Sequence, residues 1–189
     1  MPVWLSSIEC AHNRWVDGVL YSTLVMMRVL DTAALLHWPA EKLVGGICAE
    51  SQRQEIERVS PQRSMLVFAL DIDWRQVPSD WLKNAREIAA KSGDLPRLSD
   101  VDLDILALAL GLDLPLITDD YRLQNTMQNV GKQISSVDTK GAKQVWKWEL
   151  RCTGCGSRTE VPTDVDRSIK GPVMDCDSCG SPMMLKRVK

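Results

Sequence analysis

The stretch "LPLITDDYRLQN", residues 114–125, is a short apolar run that stops at two adjacent aspartates. "LPLIT" (114–118) has the character of a buried strand, and "DDYRLQNTMQNV" that of a helix entered through its acids. Asp119 and Asp120 stand side by side where the strand ends, and such charges repel unless something cationic lies between them.

The chain before this point alternates in the same way. "TLVMMRVL" (23–30) predicts a first strand and "TAALLHW" the helix after it. "ESQRQEIERV" (50–59) predicts a helix and "SMLVFALDI" (64–72) a second strand. Residues 79–92 predict a helix capped by Ser79 and stopped by Gly93, and the next helix opens at Ser99 and closes at Gly111. Strands alternating with helices predict an α/β domain with a mainly parallel sheet flanked by helices. Residues 1–25 show no clean period and read as an extension, Met26 or Met27 being a natural start. The main domain then spans 26–132, a linker 133–150, and a cysteine module 151–189. Within the linker, "VWKWEL" alternates so that Trp146, Trp148 and Leu150 share a face.

In parallel α/β sheets, chemistry gathers beyond the carboxyl ends of the strands. Asp31 directly follows the first strand, so if that strand neighbours "LPLIT", the carboxylates of Asp31, Asp119 and Asp120 converge. Each could also cap the helix it precedes. On the helix at 99–110, a turn of about 100° per residue puts Asp102 inside the apolar stripe, with Asp100 and Asp104 opposite. Ser99-x-x-Asp102 also has capping-box spacing, and a cap can lie beside a metal. Glu50, Glu55 and Glu57 are the acids available on the helix at 50–59, with nothing in the pattern to choose among them. Carboxylates gathered at such an edge suit a hard divalent cation, Mg2+ or Mn2+, which can activate water and steady the leaving oxygen of a phosphodiester. His12 and His37 are unpaired in the sequence, and no glycine-rich phosphate loop is present.

Cys152-x2-Cys155 and Cys176-x2-Cys179 are two knuckles, each followed by glycine, with the spacing of a closed structural Zn2+ site. Cys10 and Cys48 stand alone. Residues 1–138 carry 13 Lys/Arg against 19 Asp/Glu, and residues 139–189 carry 10 against 6, so an acidic body precedes a basic arm. Lys186, Arg187 and Lys189 after the last knuckle favour a phosphate partner. No run approaches the length of a membrane span, and the start lacks the pattern of a secretion signal, so a cytoplasmic location is expected.

"RVLDTAALL", "SGDLPRLSDVDLDILALAL", "LITDDYRLQN" and the paired knuckles together resemble the PIN-domain endoribonucleases of the NIN-one-binding protein family, in its compact archaeal form. The resemblance covers residues 27–189. It implies a PIN-type sheet with a C-terminal zinc ribbon, hydrolysing RNA with Mn2+ or Mg2+. It implies a role in maturing the 3′ end of precursor small-subunit ribosomal RNA, with that RNA and the preribosomal small subunit as partners, met through the ribbon and basic tail. Its acids fall on Asp31, Asp102 and Asp120, with Asp119 as an extra ligand. The early-helix glutamate falls on Glu55, although the preceding residues depart from the family pattern and leave Glu50 open.

Overall fold

The structure is a computed structural model, and it describes residues 12–16, 19–23, 27–138 and 145–188, the first two segments by backbone alone. In chain order, β1 (His12–Val16) and β2 (Val19–Thr23) are followed by β3 (Val29–Leu30), α1 (Thr32–His37), α2 (Ala40–Leu43) and β4 (Ile47–Ala49). Next come α3 (Gln52–Val59), α4 (Pro61–Phe68), β5 (Asp73–Arg75), α5 (Ser79–Ser92) and a 3-10 turn at Leu95–Arg97. The body ends with α6 (Asp100–Leu112), β6 (Leu116–Ile117), α7 (Tyr121–Asn129) and β7 (Ile134–Ser135). The cysteine module holds β8 (Trp148–Cys152), β9 (Arg158–Thr159), β10 (Met174–Asp175) and β11 (Pro182–Arg187).

Five parallel strands form the main sheet in the order β5-β4-β3-β6-β7. The sheet starts at its centre with β3, builds outward through β4 and β5, then crosses back to β6 and β7. The reversal falls between β3 and β6, where Leu30 pairs with Ile117. A crevice forms beyond the strand ends at such a reversal. Successive strand residues face opposite ways and so feed two cores. Val29, Ile47, Ala49 and Leu116 pack with α5, α6 and α7, while Leu30, Cys48 and Ile117 pack with α1, α3 and α4. This is the α/β class expected from the alternation.

Several boundaries differ from expectation. "SMLVFALDI" is helix α4 running into a turn, because Pro61 at the first helical position presets a helical φ and Ser64 and Val67, three apart, are both buried. Ser79 is the first residue of α5 rather than its cap; Pro78 holds that place without a side-chain hydrogen bond. Gly93 does stop α5, at φ 82°. Gly111 does not close α6, which runs to Leu112 and ends on Asp113 at φ 55°. Gly111 instead gives room to the indole of Trp81, which a Cβ there would overlap. The 133–150 stretch is not a bare linker, since β7 adds the fifth strand and β8 opens the module's sheet. The extension at 1–25 contains the antiparallel β1–β2 hairpin.

The module is a four-stranded antiparallel sheet, β10-β11-β8-β9, docked on the α5–α7 side of the body. Leu150, Cys152, Val161, Cys176 and Met183 share one apolar core with Ala85, Ala89 and Leu123. A polar joint lies beside that core. Asp94, fully buried, accepts hydrogen bonds from Arg122 (2.7 Å), Asn125 (2.5 Å) and Ser92 (2.9 Å). Asn125 in turn accepts from the Trp146 backbone N–H and donates to its carbonyl, at 2.6 and 2.8 Å. The Arg122 guanidinium lies 4.3 Å from the centre of the Trp148 ring. Burial pushes the Asp94 carboxyl above its usual range, and the bonds from Arg122, Asn125 and Ser92 oppose that.

Trp148 also passes so close to Gly93 that a Cβ would strike its carbonyl oxygen. Gly93→Ala combines that overlap with a left-handed backbone, and should cost about 2–4 kcal/mol. Urea denaturation measures this directly, and an unchanged midpoint would remove the close approach from the account of ribbon docking.

Candidate active site and metal centre

Three helix starts meet at the reversal between β3 and β6. Asp31 caps α1, its Oδ1 accepting from the Thr32 N–H at 2.6 Å, and its Oδ2 accepts from the Thr118 hydroxyl at 2.6 Å. Asp120 caps α7 through the Arg122 N–H at 2.6 Å, and its own N–H donates to the Thr118 hydroxyl oxygen at 2.9 Å. Thr118 therefore links the two aspartates. Ser99 and Asp102 form the capping box at the start of α6, with reciprocal bonds of 3.1 and 2.7 Å. Backbone N–H groups at all three starts favour ionised carboxylates.

These acids feel one another. Asp31 is 7% exposed. Burial raises its carboxyl to about 6; the Thr118 hydroxyl opposes the rise, and the charges of Asp102 and Asp120 add to it. Asp120 is also raised, by burial first, with the Arg122 N–H opposing and Asp102 adding. The carboxylates are nevertheless not clenched. Among the described residues, the set of three or more metal-ligating side chains whose donor atoms all lie within 4.8 Å is the cysteine set.

The structure separates the glutamates that the sequence left open. The Thr32 hydroxyl donates to Glu55 Oε2 at 2.7 Å, which joins Glu55 to the neighbour of Asp31. Glu50 pairs instead with Arg53 at 2.9 Å, half-exposed. Glu55, Asp100 and Asp102 line one cleft of about 510 Å³ between α3 and α6. Asp100 was expected to face away from Asp102. In the first turn of a helix both side chains reach past the helix end, so the angular argument does not separate them.

Asp119 has a different occupation. Its carboxylate accepts from the backbone N–H groups of Val137 and Asp138, at 2.9 and 3.2 Å, and so ties the loop after β7 to the end of β6. The adjacent charges of Asp119 and Asp120 are thus relieved by separate N–H donors. Gln52 carries a role that no motif in the sequence marks. Fully buried, it accepts from the Ala49 N–H at 2.7 Å and donates to the Leu30 carbonyl at 3.0 Å, bracing the ends of β4 and β3. A polar residue at the first position of a helix that follows a strand is the signal that could have found it.

The four cysteines converge as the spacing requires. Cys152 and Cys179 stand 3.4 Å apart, and Cys155 and Cys176 3.7 Å, with all four sulfurs within 4.8 Å of one another. Tetrahedral thiolates around an ion with bonds of about 2.3 Å stand about 3.8 Å apart, so the cluster is dimensioned to hold a metal. Gly156 and Gly180 follow the knuckles at φ 74° and 70°, the conformation that glycine tolerates best. Hydrogen bonds from the Ser181 hydroxyl and backbone N–H pull the Cys179 thiol down to about 6, towards the ligating thiolate. Among the described residues, no helix is long and apolar enough to cross a membrane.

A family described as the PIN domain of ribonuclease matches residues 28–112, the segment carrying Asp31, Glu55 and Asp102. The chain is 30% identical to an endoribonuclease Nob1 from Methanothermobacter thermautotrophicus, over 91% of this chain and 97% of that protein. It is 33% identical to the endoribonuclease Nob1 of Archaeoglobus fulgidus, over 71% and 77%. A ribonuclease VapC1 from Thermoplasma acidophilum is 32% identical, over 87% and 82%. Fold, strand-end acids and these matches together define a PIN-domain ribonuclease with an appended cysteine module. Within that class, the chain belongs to the Nob1 endoribonuclease family.

The raised Asp31 carboxyl has a measurable consequence. A folded chain that holds its proton up to about pH 6 is favoured below the unfolded value near 4, and loses that contribution as pH rises through about 6. At pH 8, with Mg2+ and Mn2+ omitted, Asp31→Asn should therefore be more stable than wild type, by up to about 3 kcal/mol. At pH 4 the difference should vanish. Denaturant midpoints at the two values check the sign, and a variant less stable at pH 8 would refute the burial argument.

Proposed function

We propose that the chain is a Mn2+- or Mg2+-dependent endoribonuclease that matures the 3′ end of precursor small-subunit ribosomal RNA, acting in the cytoplasm on the preribosomal small subunit. The observation that carries this reading is the joining of Asp31 and Asp120 through Thr118 at the β3–β6 reversal of a PIN-type fold, with Asp102 near enough to raise both carboxyls.

Asp31, Asp102, Asp120 and Glu55 are the residues that would hold the catalytic metal. All offer oxygen donors, which suits a hard cation. Mg2+ keeps much of its water and takes one or two carboxylates, so it fits acids that are near but not clenched. When bound, such an ion supplies positive charge to a phosphodiester and activates water for its hydrolysis. The chain's own part is preorganisation. Thr118 holds the Asp31 carboxyl and the Asp120 backbone N–H, the Arg122 N–H orients the Asp120 carboxyl, Thr32 fixes Glu55, and the capping box fixes Asp102. Asp119, spent on the loop after β7, stands outside this set in our reading.

The cysteine cluster is assigned structural Zn2+, whose thiolate preference matches it. A module with so little regular structure gains much of its folding energy from the metal. The ribbon and the basic stretch at Lys186 and Arg187 are assigned to RNA. Arg187 already lies 3.9 Å from the centre of the Trp146 ring, a platform on which a base could also stack. Lys189 falls outside the described residues. The relative named VapC1 supports ribonuclease chemistry equally, but the paired knuckles favour the ribosomal reading over a PIN toxin with another RNA target.

An RNA spanning the small-subunit 3′ end should be cut at one junction by wild type with Mn2+, while Asp120→Asn leaves it intact and keeps the wild-type circular dichroism. Undiminished cutting by Asp120→Asn would end the metal-site assignment. Binding without cutting by the wild type would favour a non-catalytic assembly factor instead. Elemental analysis should find stoichiometric zinc in wild type and none in Cys176→Ser/Cys179→Ser; zinc retained by that variant would contradict the ribbon assignment.

A further inference from the structure

The cleft between α3 and α6 presents an electrostatic difficulty. Glu55, Asp100 and Asp102 line it, and a polyanion must enter it. A divalent ion offsets charge at the phosphate being cut, but the flanking phosphates of the strand need cations of their own. Two arginines line the same cleft: Arg58, one helical turn beyond Glu55 on α3, and Arg167, from the ribbon segment between the two cysteine knuckles.

What sets these two apart is that, among the described residues, no side chain or backbone group engages them. Every other arginine with a described side chain is already committed. Arg53, Arg75, Arg122, Arg151 and Arg158 meet carboxylates. Arg28, Arg63, Arg86 and Arg97 donate to backbone carbonyls, and Arg187 lies over Trp146. Among the described residues, Arg58 and Arg167 alone have neither an ion pair, a hydrogen bond nor a ring contact, both are exposed, and both open on this one cleft.

Nor is Arg167 there by the drift of a loose loop. Its segment is strapped to the body on both sides. Arg86 donates to the carbonyls of Thr163 (3.3 Å) and Val165 (3.5 Å), and Arg97 to those of Ser168 and Gly171. The Ser168 N–H closes the strap on the Pro96 carbonyl at 2.7 Å. Arg97 and Pro96 belong to the 3-10 turn that leads directly into the capping box of α6. The element that positions Asp102 therefore also positions Arg167.

We propose that Arg167 and Arg58 bind backbone phosphates of the RNA strand beside the acids, so that the ribbon completes the substrate cleft of the nuclease. Guanidinium suits this role, since its planar fork pairs two N–H donors with a phosphate. The proposal rests on reading the cleft as the RNA-cutting site, and its test has an arm that does not depend on cutting.

In an Asp120→Asn background, binding of a fluorescent single-stranded RNA is measured across a salt series, with and without Arg167→Ala. Loss of one charge-assisted contact should weaken binding about tenfold and make the slope of log affinity against log salt shallower by about 0.7. Arg167→Lys, which keeps the charge, should restore the slope and part of the affinity. Arg97→Met, which cuts the strap but leaves Arg167 in the chain, should weaken binding in the same direction. Cleavage by the otherwise wild-type Arg167→Ala protein should show the loss mainly in KM. Affinity and salt slope unchanged by Arg167→Ala overturn the proposal even where wild type cuts RNA. A wild type that never cuts overturns the nuclease reading alone, because the binding arm still decides Arg167.

Discussion

A carboxylate sealed from water has to be satisfied from within, and Asp94 sets that demand at the centre of this molecule. Leaving such a charge unpaired would cost several kcal/mol. It is met from two directions: Ser92 at the end of α5, and Arg122 and Asn125 on α7. The two donors on α7 each have a second duty. Arg122 gives its backbone N–H to Asp120 and its guanidinium to the Trp148 ring. Asn125 holds both backbone groups of Trp146. One buried charge thereby fixes α7, the aspartate at its start, and the strand that carries the chain into the ribbon.

The ribbon is consequently not a tethered appendage. Its sheet shares an apolar core with α5 and α7, its entering strand presses on Gly93, and its long inter-knuckle segment is held by Arg86 and Arg97. The metal that the cysteines are dimensioned for would organise a structure continuous with the acid site. The glycine at position 93 serves two ends here, stopping α5 and admitting Trp148.

The acids' positions could be read from the sequence because strand ends and helix starts have a strong local grammar. Asp31 and Asp120 each follow an apolar run and open a helix, and Ser99-x-x-Asp102 announces its own cap. Sequence alone does not separate Glu55 from Glu50, because what separates them is a hydroxyl on Thr32, 23 residues away. Asp119 looks equivalent to Asp120 in sequence, since nothing local reveals the N–H groups of Val137 and Asp138. Nothing local marks Asp94 either, its partners lying mostly on another helix. The apolar run at 64–72 suits a strand as well as a helix, because short runs do not distinguish strand from buried helix. Strands β4, β5 and β7 are two or three residues long, too short for any period to register.

The bond from Thr118 to Asp31 spans 87 residues, and the β3–β6 pair beside it spans the same interval. Contacts so distant in sequence close late, since the intervening loop must lose its freedom first. During synthesis, Asp31 emerges long before Thr118, Asp120 and α7, and the ribbon emerges after all of them. A half-made chain therefore has scattered acids and no assembled cleft. Asp31 and Asp120 are joined through Thr118, so the acid site is complete only when β6 and α7 stand beside β3.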